Sequence, residues 1–397
     1  MKICDFDLVT VGGGLGASAL ALSMAKSGAR VLVLEKEKQF RDRVRGESLV
    51  PWGAAEAKNL GIYELLLTTC AQKTPWVEMG FGPRNLTETT PQRLPGISYC
   101  HPEMQEVLLA EAEKAGAQVR RGVTAKGIEA SVHHSVVIAG NGNDERISAR
   151  FVAAADGRAS AARTWMGFAA EKNGHPFQFA GVLLTGVTTR EDAVTFLFNP
   201  DLGLVVGVVP QKGGRCRSYL GYPKARGLVL HGTDGLSAFL AECRKVSPIV
   251  QSWYDDVKSV GPLATFEGSE SWVDHPYRDG LALLGDAAGT SDPSFGQGMS
   301  ITLRDARVLR DALLSHSDWN TAGHEYARQH DIYFQQTHKV CGWMRTLFQD
   351  PSEEAQALRQ QAMPKIAEDL SRVPDHLFSG PDLPADATVR DRLFGAC

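Results

Sequence analysis

Cysteine is sparse in this chain. There are seven in 397 residues (Cys4, Cys70, Cys100, Cys216, Cys243, Cys341 and Cys397), with no C-x-x-C pair and no zinc-like spacing. That excludes a disulfide framework and a thiolate metal site, and it implies a reduced, cytoplasmic setting in which these thiols serve packing. Excess charge of one sign is missing too. Forty-two basic against 46 acidic side chains leave a net charge of -4, which gives no electrostatic reason to expect nucleic acid or an anionic membrane as partner. A long clean apolar run is also absent. Residues 8–25 are 18 positions without a charge, but glycines interrupt them, Asp5 and Asp7 precede them, and only Lys2 ahead of them is basic. Neither a signal peptide nor an integral membrane segment is expected. No repeat or low-complexity tract stands out. What remains is ordinary for a globular enzyme of two or three domains: 43% hydrophobic and 22% charged residues.

The organising stretch is FDLVTVGGGLGASALALSMAKSGARVLVLE, residues 6–35. Residues 8–11 form a short apolar strand, Gly12 to Gly14 crowd a turn, and an Ala/Leu-rich helix follows until Gly28 stops it. Residues 31–34 form the second strand, with Glu35 at its carboxyl end. Gly12 permits the tight turn, Gly14 lets a pyrophosphate approach the backbone, and the amides at Leu15 and Gly16 open the helix with its positive dipole end. Ala17 stands at the third position of G-x-G-x-x-G/A, where close helix–strand packing is the requirement. Glu35, followed by Lys36, lies about 20 residues beyond the turn, where an acid accepts from both ribose hydroxyls of an adenosine. This unit is expected to bind a dinucleotide. Gly140-Asn141-Gly142 falls in a hairpin turn, so a second such fold is not expected.

Along the chain, a helix is expected over residues 51–60, an irregular proline-broken region over 65–95, and a helix within 98–116 that Gly116 ends. Residues 119–150 read as antiparallel strands with His133 and His134 on a hairpin surface, and 150–155 as an apolar strand running into Asp156-Gly157. From 166 to 275, short strands at 182–187, 194–198, 203–209 and 217–221 read as a mostly antiparallel sheet, with one helix near 236–245. A buried strand at 281–284 precedes a long helix at 298–314. The remainder, from about His324, reads as helical, with a proline-rich tail after Pro374.

Two further stretches carry chemistry. AAADGRASAAR contains D-G-x-x-S-x-x-R through Asp156, Gly157, Ser160 and Arg163. GLALLGDAAGTSDPSFGQGMS ends a strand at Gly285-Asp286 and enters a helix through Pro293 and Gly296-Gln297-Gly298. These motifs, in this order and spanning roughly residues 5–315, resemble the FAD-dependent monooxygenases of the aromatic-hydroxylase (p-hydroxybenzoate hydroxylase-like) superfamily. The resemblance implies an α/β fold: a three-layer Rossmann-like FAD-binding domain with a parallel sheet, an inserted, mostly antiparallel substrate domain, and a C-terminal helical segment. The expected division assigns the FAD-binding domain to 1–75, 98–165 and 276–323. The substrate domain takes 76–97 and 166–275, and the helical segment takes 324–397.

By resemblance, Asp286 holds the ribitol chain, and the segment 156–163, which begins with Asp156 and Gly157, serves both the fold and pyridine-nucleotide access. Gly46-Glu47-Ser48 resembles a stretch of the halogenase and geranylgeranyl-reductase branches, with Arg45 before it near the flavin or its diphosphate. Reduced flavin carries negative charge near N1 and O2, to which the amides of Gly298 and Met299 at a helix start can donate. Glycines at 296 and 298 let the backbone lie against a flat ring. Three positions depart from or vary the family's pattern. Gly289 stands where histidine is common, His101 where arginine is common, and Gln105 where a polar residue touches the cofactor.

The implied reaction uses NAD(P)H and dioxygen, through a flavin C4a-hydroperoxide, to hydroxylate or epoxidise an electron-rich, aromatic small molecule. A separate flavin reductase is an alternative electron supply. Residues 292–294, with Asp292 and Pro293, are expected at the reacting edge, and Phe295 is favoured as pocket-lining among Trp52, Trp76, Phe177, Phe179, Phe196, Phe198 and Phe295. Tyr99, His101 and Asp292 are the acid–base candidates. Rival readings are a geranylgeranyl-type reductase, which needs no oxygen, a halogenase, whose W-x-W-x-I-P stretch is absent, and a non-catalytic flavin-binding redox protein.

Overall fold

The computed structural model describes residues 4–174 and 177–396; Lys2 and Cys397 lie outside the described residues. The first sheet is built on five parallel strands in the order Leu281–Leu283, Glu145–Ala154, Phe6–Val11, Val31–Glu35, Gln118–Arg121, with Tyr277–Arg278 added antiparallel at one edge. Val31–Glu35 is buried at every position, as a strand covered on both faces must be. Its side chains alternate between two cores. Val31 and Val33 pack with the helices, whereas Leu32 and Leu34 pack against an antiparallel hairpin, Thr124–Glu129 and Ser135–Gly140, on the other face.

Three helices cover the first face: Leu15–Lys26 at the centre, flanked by His101–Lys114 and Gly298–Ser315. The Glu145–Ala154 strand serves two partners. Its first half pairs antiparallel with Ser135–Gly140, and its second half runs parallel to Phe6–Val11 and Leu281–Leu283. Gly12 and Ala155 therefore meet at the carboxyl ends of adjacent strands, where an open α/β sheet binds its ligand.

The second sheet stands apart from the first. Phe177–Thr185, Arg215–Pro223, Leu204–Gln211 and Ala193–Asn199 follow one another antiparallel, and Trp76–Glu78 then joins parallel to Ala193–Asn199. Pro83–Asn85 pairs with Trp76–Glu78, so a segment far upstream in sequence completes the sheet's edge. Gly235–Arg244 and the 3-10 turn Pro248–Tyr254 cover one face through Phe239, Cys243, Val250 and Trp253. The other face is turned toward the nucleotide domain.

Two segments differ from the sequence expectation. Residues 65–69 belong to a short helix, Tyr63–Thr69, whose Leu66 is fully buried. The region after Pro374 is not a bare tail: His376–Ser379 and Ala387–Phe394 are helical. Asp386 caps the second helix by accepting from the Val389 amide, and Leu377, Leu393 and Phe394 pack against the 30-residue helix Trp319–Phe348. Burial of these apolar positions decided the outcome, and the prolines only separate the turns. All six cysteines among the described residues are buried and unpaired.

Candidate active site

A cavity of about 470 Å³ opens where the sheets face each other, and its first lobe is the glycine turn. Gly12 has φ +101°, and a Cβ there would sit 2.5 Å from the Ala155 carbonyl oxygen. The turn is therefore closed to any other residue. Gly14 differs: a Cβ would meet only Gln105 Nε2, at 3.6 Å, so its backbone is open toward the cavity. No side chain caps the Leu15–Lys26 helix, which leaves its first amides free for an anion. Glu35, 7% exposed, accepts from the Gly13 amide at 2.7 Å and the Glu37 amide at 2.8 Å, which fixes the carboxylate at the cleft wall. Gly12, Gly14, Leu15, Gly16, Glu35, Lys36 and Gln105 all line the cavity, whereas Ala17 is buried in the helix–sheet contact.

The middle of the cavity is lined by Gly285, Asp286, Pro293, Gly296, Gly298 and Met299, together with Asp156 and Gly157. Asp286 has no hydrogen-bond or ion-pair partner among the described residues, although an arginine, Arg45, lines the same space. The Asp156 carboxylate accepts from the Ala162 amide at 3.1 Å and so braces the helix Ala161–Trp165. Behind the loop, fully buried Asp305 accepts from the Gly285 amide at 2.7 Å and from the Tyr333 hydroxyl; burial pushes its carboxyl up to about 6. Gln297 receives the Trp52 indole N–H at 3.0 Å and donates to the Phe295 and Leu377 carbonyls. The loop is held from three sides.

Asp292 and Phe295 do not line this cavity. The Asp292 carboxylate caps Pro293–Phe295 through the Ser294 amide and pairs with Arg345 at 2.9 Å, at 2% residue exposure. A carboxylate so held is occupied in fixing the loop. Phe295 stacks on Phe198 and faces a separate apolar pocket of about 30 Å³ with Trp76, Phe196 and Phe378. His101 does line the cavity. The Gly46 carbonyl can only accept, so the imidazole donates from Nδ1 at 2.7 Å; desolvation lowers its pKa and keeps it neutral.

The far lobe is aromatic. Phe179, Phe196, Val205, Tyr219 and Phe266 line it from the second sheet, and the Arg45 guanidinium lies 5.8 Å from the Phe266 ring centre. Of the aromatic candidates, Phe179 and Phe196 reach the cavity. Trp52 is sealed beneath the loop, Trp76 stacks under Arg190, and Phe177 packs edge-on against Phe179.

Sequence reasoning named Glu47 only as part of Gly46-Glu47-Ser48 and did not foresee the polar cluster at this end. Glu47 is 2% exposed and accepts from Arg217 Nε at 3.1 Å and from the Tyr219 hydroxyl, while Arg217 also reaches Asp42 at 2.7 Å. The available signal was two arginines and a tyrosine alternating inside an apolar strand, RCRSYLGYP. Burial pushes Glu47 up to about 7, outweighing the opposing pull of Arg217. Since the folded pKa lies above the unfolded 4.5, this residue's contribution to stability is full below about pH 4.5 and is lost as pH rises through about 7. Urea unfolding at pH 5 and pH 8 is expected to show the wild type losing about 1–3 kcal/mol more than Glu47→Gln over that interval.

A glycine-turn cleft, a second helix N-terminus and a facing antiparallel sheet define a dinucleotide-dependent flavoprotein. The comparisons agree. A model described as "FAD binding domain" matches residues 5–342, and the chain belongs to this family of FAD-dependent monooxygenases. It is similar to 6-methylpretetramide 4-monooxygenase of Streptomyces rimosus, with 28% identity over 326 residues covering 77% of this chain and 75% of the relative. It is also similar to digeranylgeranylglycerophospholipid reductase of Methanocaldococcus jannaschii, with 25% identity and 79% of each chain covered. The crystal structure of p-nitrophenol 4-monooxygenase from Pseudomonas putida DLL-E4 superposes with a TM-score of 0.79 over 95% of this chain and 97% of that one; at 19% identity this shows the fold alone. The protein is an FAD-dependent oxidoreductase. No helix among the described residues is long and apolar enough to cross a membrane.

Proposed function

We propose that the protein is an FAD-dependent monooxygenase that takes electrons from NAD(P)H, directly or through a separate reductase, and places one atom of dioxygen on an electron-rich aromatic small molecule. One observation carries the reading. A single cavity runs from the glycine turn, past the start of the Gly298–Ser315 helix, to the aromatic face of the second sheet. When bound, FAD supplies the electron transfer and the oxygen activation. The open backbone at Gly14 and the uncapped helix starts suit an anionic, planar cofactor.

In this reading the Leu15 and Gly16 amides hold the diphosphate, with Gly12 and Gly14 making room, and Glu35 holds the adenosine ribose beside Lys36. Arg45, Gln105 and His101 flank the diphosphate and ribitol, Asp286 takes the ribitol hydroxyls, and the Gly298 and Met299 amides face the charged edge of the ring. Asp156 and Gly157 shape the rear wall, and Pro293 meets the reacting face. Asp292 and Phe295 support that face from behind. The electron-rich substrate class of this reading is a phenolic ring, of the kind named for the p-nitrophenol 4-monooxygenase that shares the fold.

Asp286→Ala is expected to weaken FAD binding about tenfold or more, since a carboxylate accepting from sugar hydroxyls loses charge-assisted bonds. Fluorescence titration of the apoprotein measures this. The reaction itself is tested by supplying NADPH anaerobically, admitting labelled dioxygen, and analysing a phenolic product by mass. Incorporated label supports the proposal. Turnover without oxygen supports a reductase, halide-dependent product a halogenase, and no turnover with bound FAD a binding protein.

A further inference from the structure

We propose that Tyr219 and Glu47 form the proton relay of this site, Tyr219 taking the proton of a substrate phenol as it passes its own to Glu47. The inference rests on the monooxygenase reading above. Both residues line the cavity, and the Tyr219 hydroxyl donates to Glu47 Oε2. The other carboxylate oxygen accepts from Arg217 Nε at 3.1 Å. Arg217 is fully buried and shares its charge with Asp42, whose carboxylate lies 2.7 Å from its Nη2. The ionised carboxylate is thus stabilised from behind while its front is open to one hydroxyl.

The groups around Glu47 leave its proton as the variable one. The strand Arg215–Pro223 supplies Arg217 and Tyr219, the strand Gly96–Tyr99 supplies Tyr99, and the preceding loop supplies Asp42 and Arg45. Arg217 offsets Asp42. Tyr99 is fully buried away from the cavity, with its ionisation pushed well up by burial. His101 has its Nδ1 hydrogen committed to Gly46, and Asp292 is tied to Arg345. Glu47 is poised close to neutrality, so it ionises and reprotonates within the physiological range.

The step balances without any redox change. The substrate O–H bond breaks and a new O–H forms on Tyr219. The original Tyr219 O–H breaks and its proton bonds Glu47 Oε2, leaving a phenolate, a neutral tyrosine and a neutral carboxyl. A phenolate ring is more electron-rich than a phenol, which favours attack on an electrophilic oxygen.

The test needs no turnover. Oxidised, FAD-loaded protein is mixed with 4-nitrophenol without reductant, and the phenolate-to-phenol ratio of the bound probe is read by absorbance from acid to alkaline pH. Tyr219→Phe and Glu47→Gln are each expected to lower that ratio about tenfold or more at pH 8, the equivalent of one pK unit. Tyr219→Phe preserves the ring packing, which keeps the test decisive should Glu47→Gln fail to fold. An unchanged ratio in Tyr219→Phe overturns the relay and leaves the monooxygenase reading standing. A drop confined to His101→Gln assigns the base to the imidazole, and it too overturns the relay without touching the monooxygenase reading. A wild type that binds no 4-nitrophenol overturns the phenolic reading, and the relay with it.

Discussion

Arg345→Ala is expected to lower the unfolding free energy by about 3–5 kcal/mol at pH 7.5, the range for removing one partner of a buried ion pair. Arg345 reaches Asp292 at 2.9 Å and Glu270 at 2.7 Å, and both carboxylate side chains are almost wholly out of solvent. Without the guanidinium, two anions remain buried, and among the described residues His338, 3.3 Å from Glu270, is the one other side chain that can pair with them as a cation. The carboxylates then gain protons more readily in the fold than in the unfolded chain, so the deficit shrinks as pH falls. Urea unfolding at pH 7.5 and pH 5.5 reads both effects. A loss under about 1 kcal/mol, or one that grows in acid, would rule out this role for the cluster. Because Asp292 caps the turn that precedes Gly296–Gly298, the variant is also expected to bind FAD more weakly.

The second large effect separates two glycines two positions apart. Gly12→Ala is expected to cost about 2–4 kcal/mol and to yield protein without flavin, since it forces an L-residue into positive φ and drives a Cβ onto the Ala155 carbonyl. Gly14→Ala is expected to fold with near wild-type stability yet lose FAD, because its methyl group would fill the space left for the diphosphate. Thermal melts paired with the flavin-to-protein absorbance ratio distinguish the two. Retention of FAD by Gly14→Ala would place the diphosphate elsewhere.

Local chemistry made much of this protein legible in advance. The strand–turn–helix of residues 6–35 depends on nearest-neighbour facts, namely a β-rich apolar run, glycine where φ is positive, and an acid at the strand end. The stretch from Leu281 to Met299 is legible for the same reason: a buried strand, a glycine turn and a helix start follow within one short segment. In such segments the sequence order already is the spatial order.

The aromatic end of the cavity obeys a different logic. Glu47, Arg217 and Asp42 come from the loop before the helix Pro51–Asn59 and from the middle of a strand some 170 residues later, and their meeting depends on how the two sheets face each other. Asp292 carries the same lesson in reverse. Its motif position points to the reacting edge, but Arg345, on a helix from the far end of the chain, draws its carboxylate away from the cavity. The sequence by itself determined a dinucleotide site and the strands that carry it, because glycine sterics and helix-end dipoles act within a few residues, and the order of its motifs added the flavin by resemblance. Tertiary structure alone decided which polar groups are buried together, because desolvation and ion pairing depend on neighbours that only the folded chain supplies.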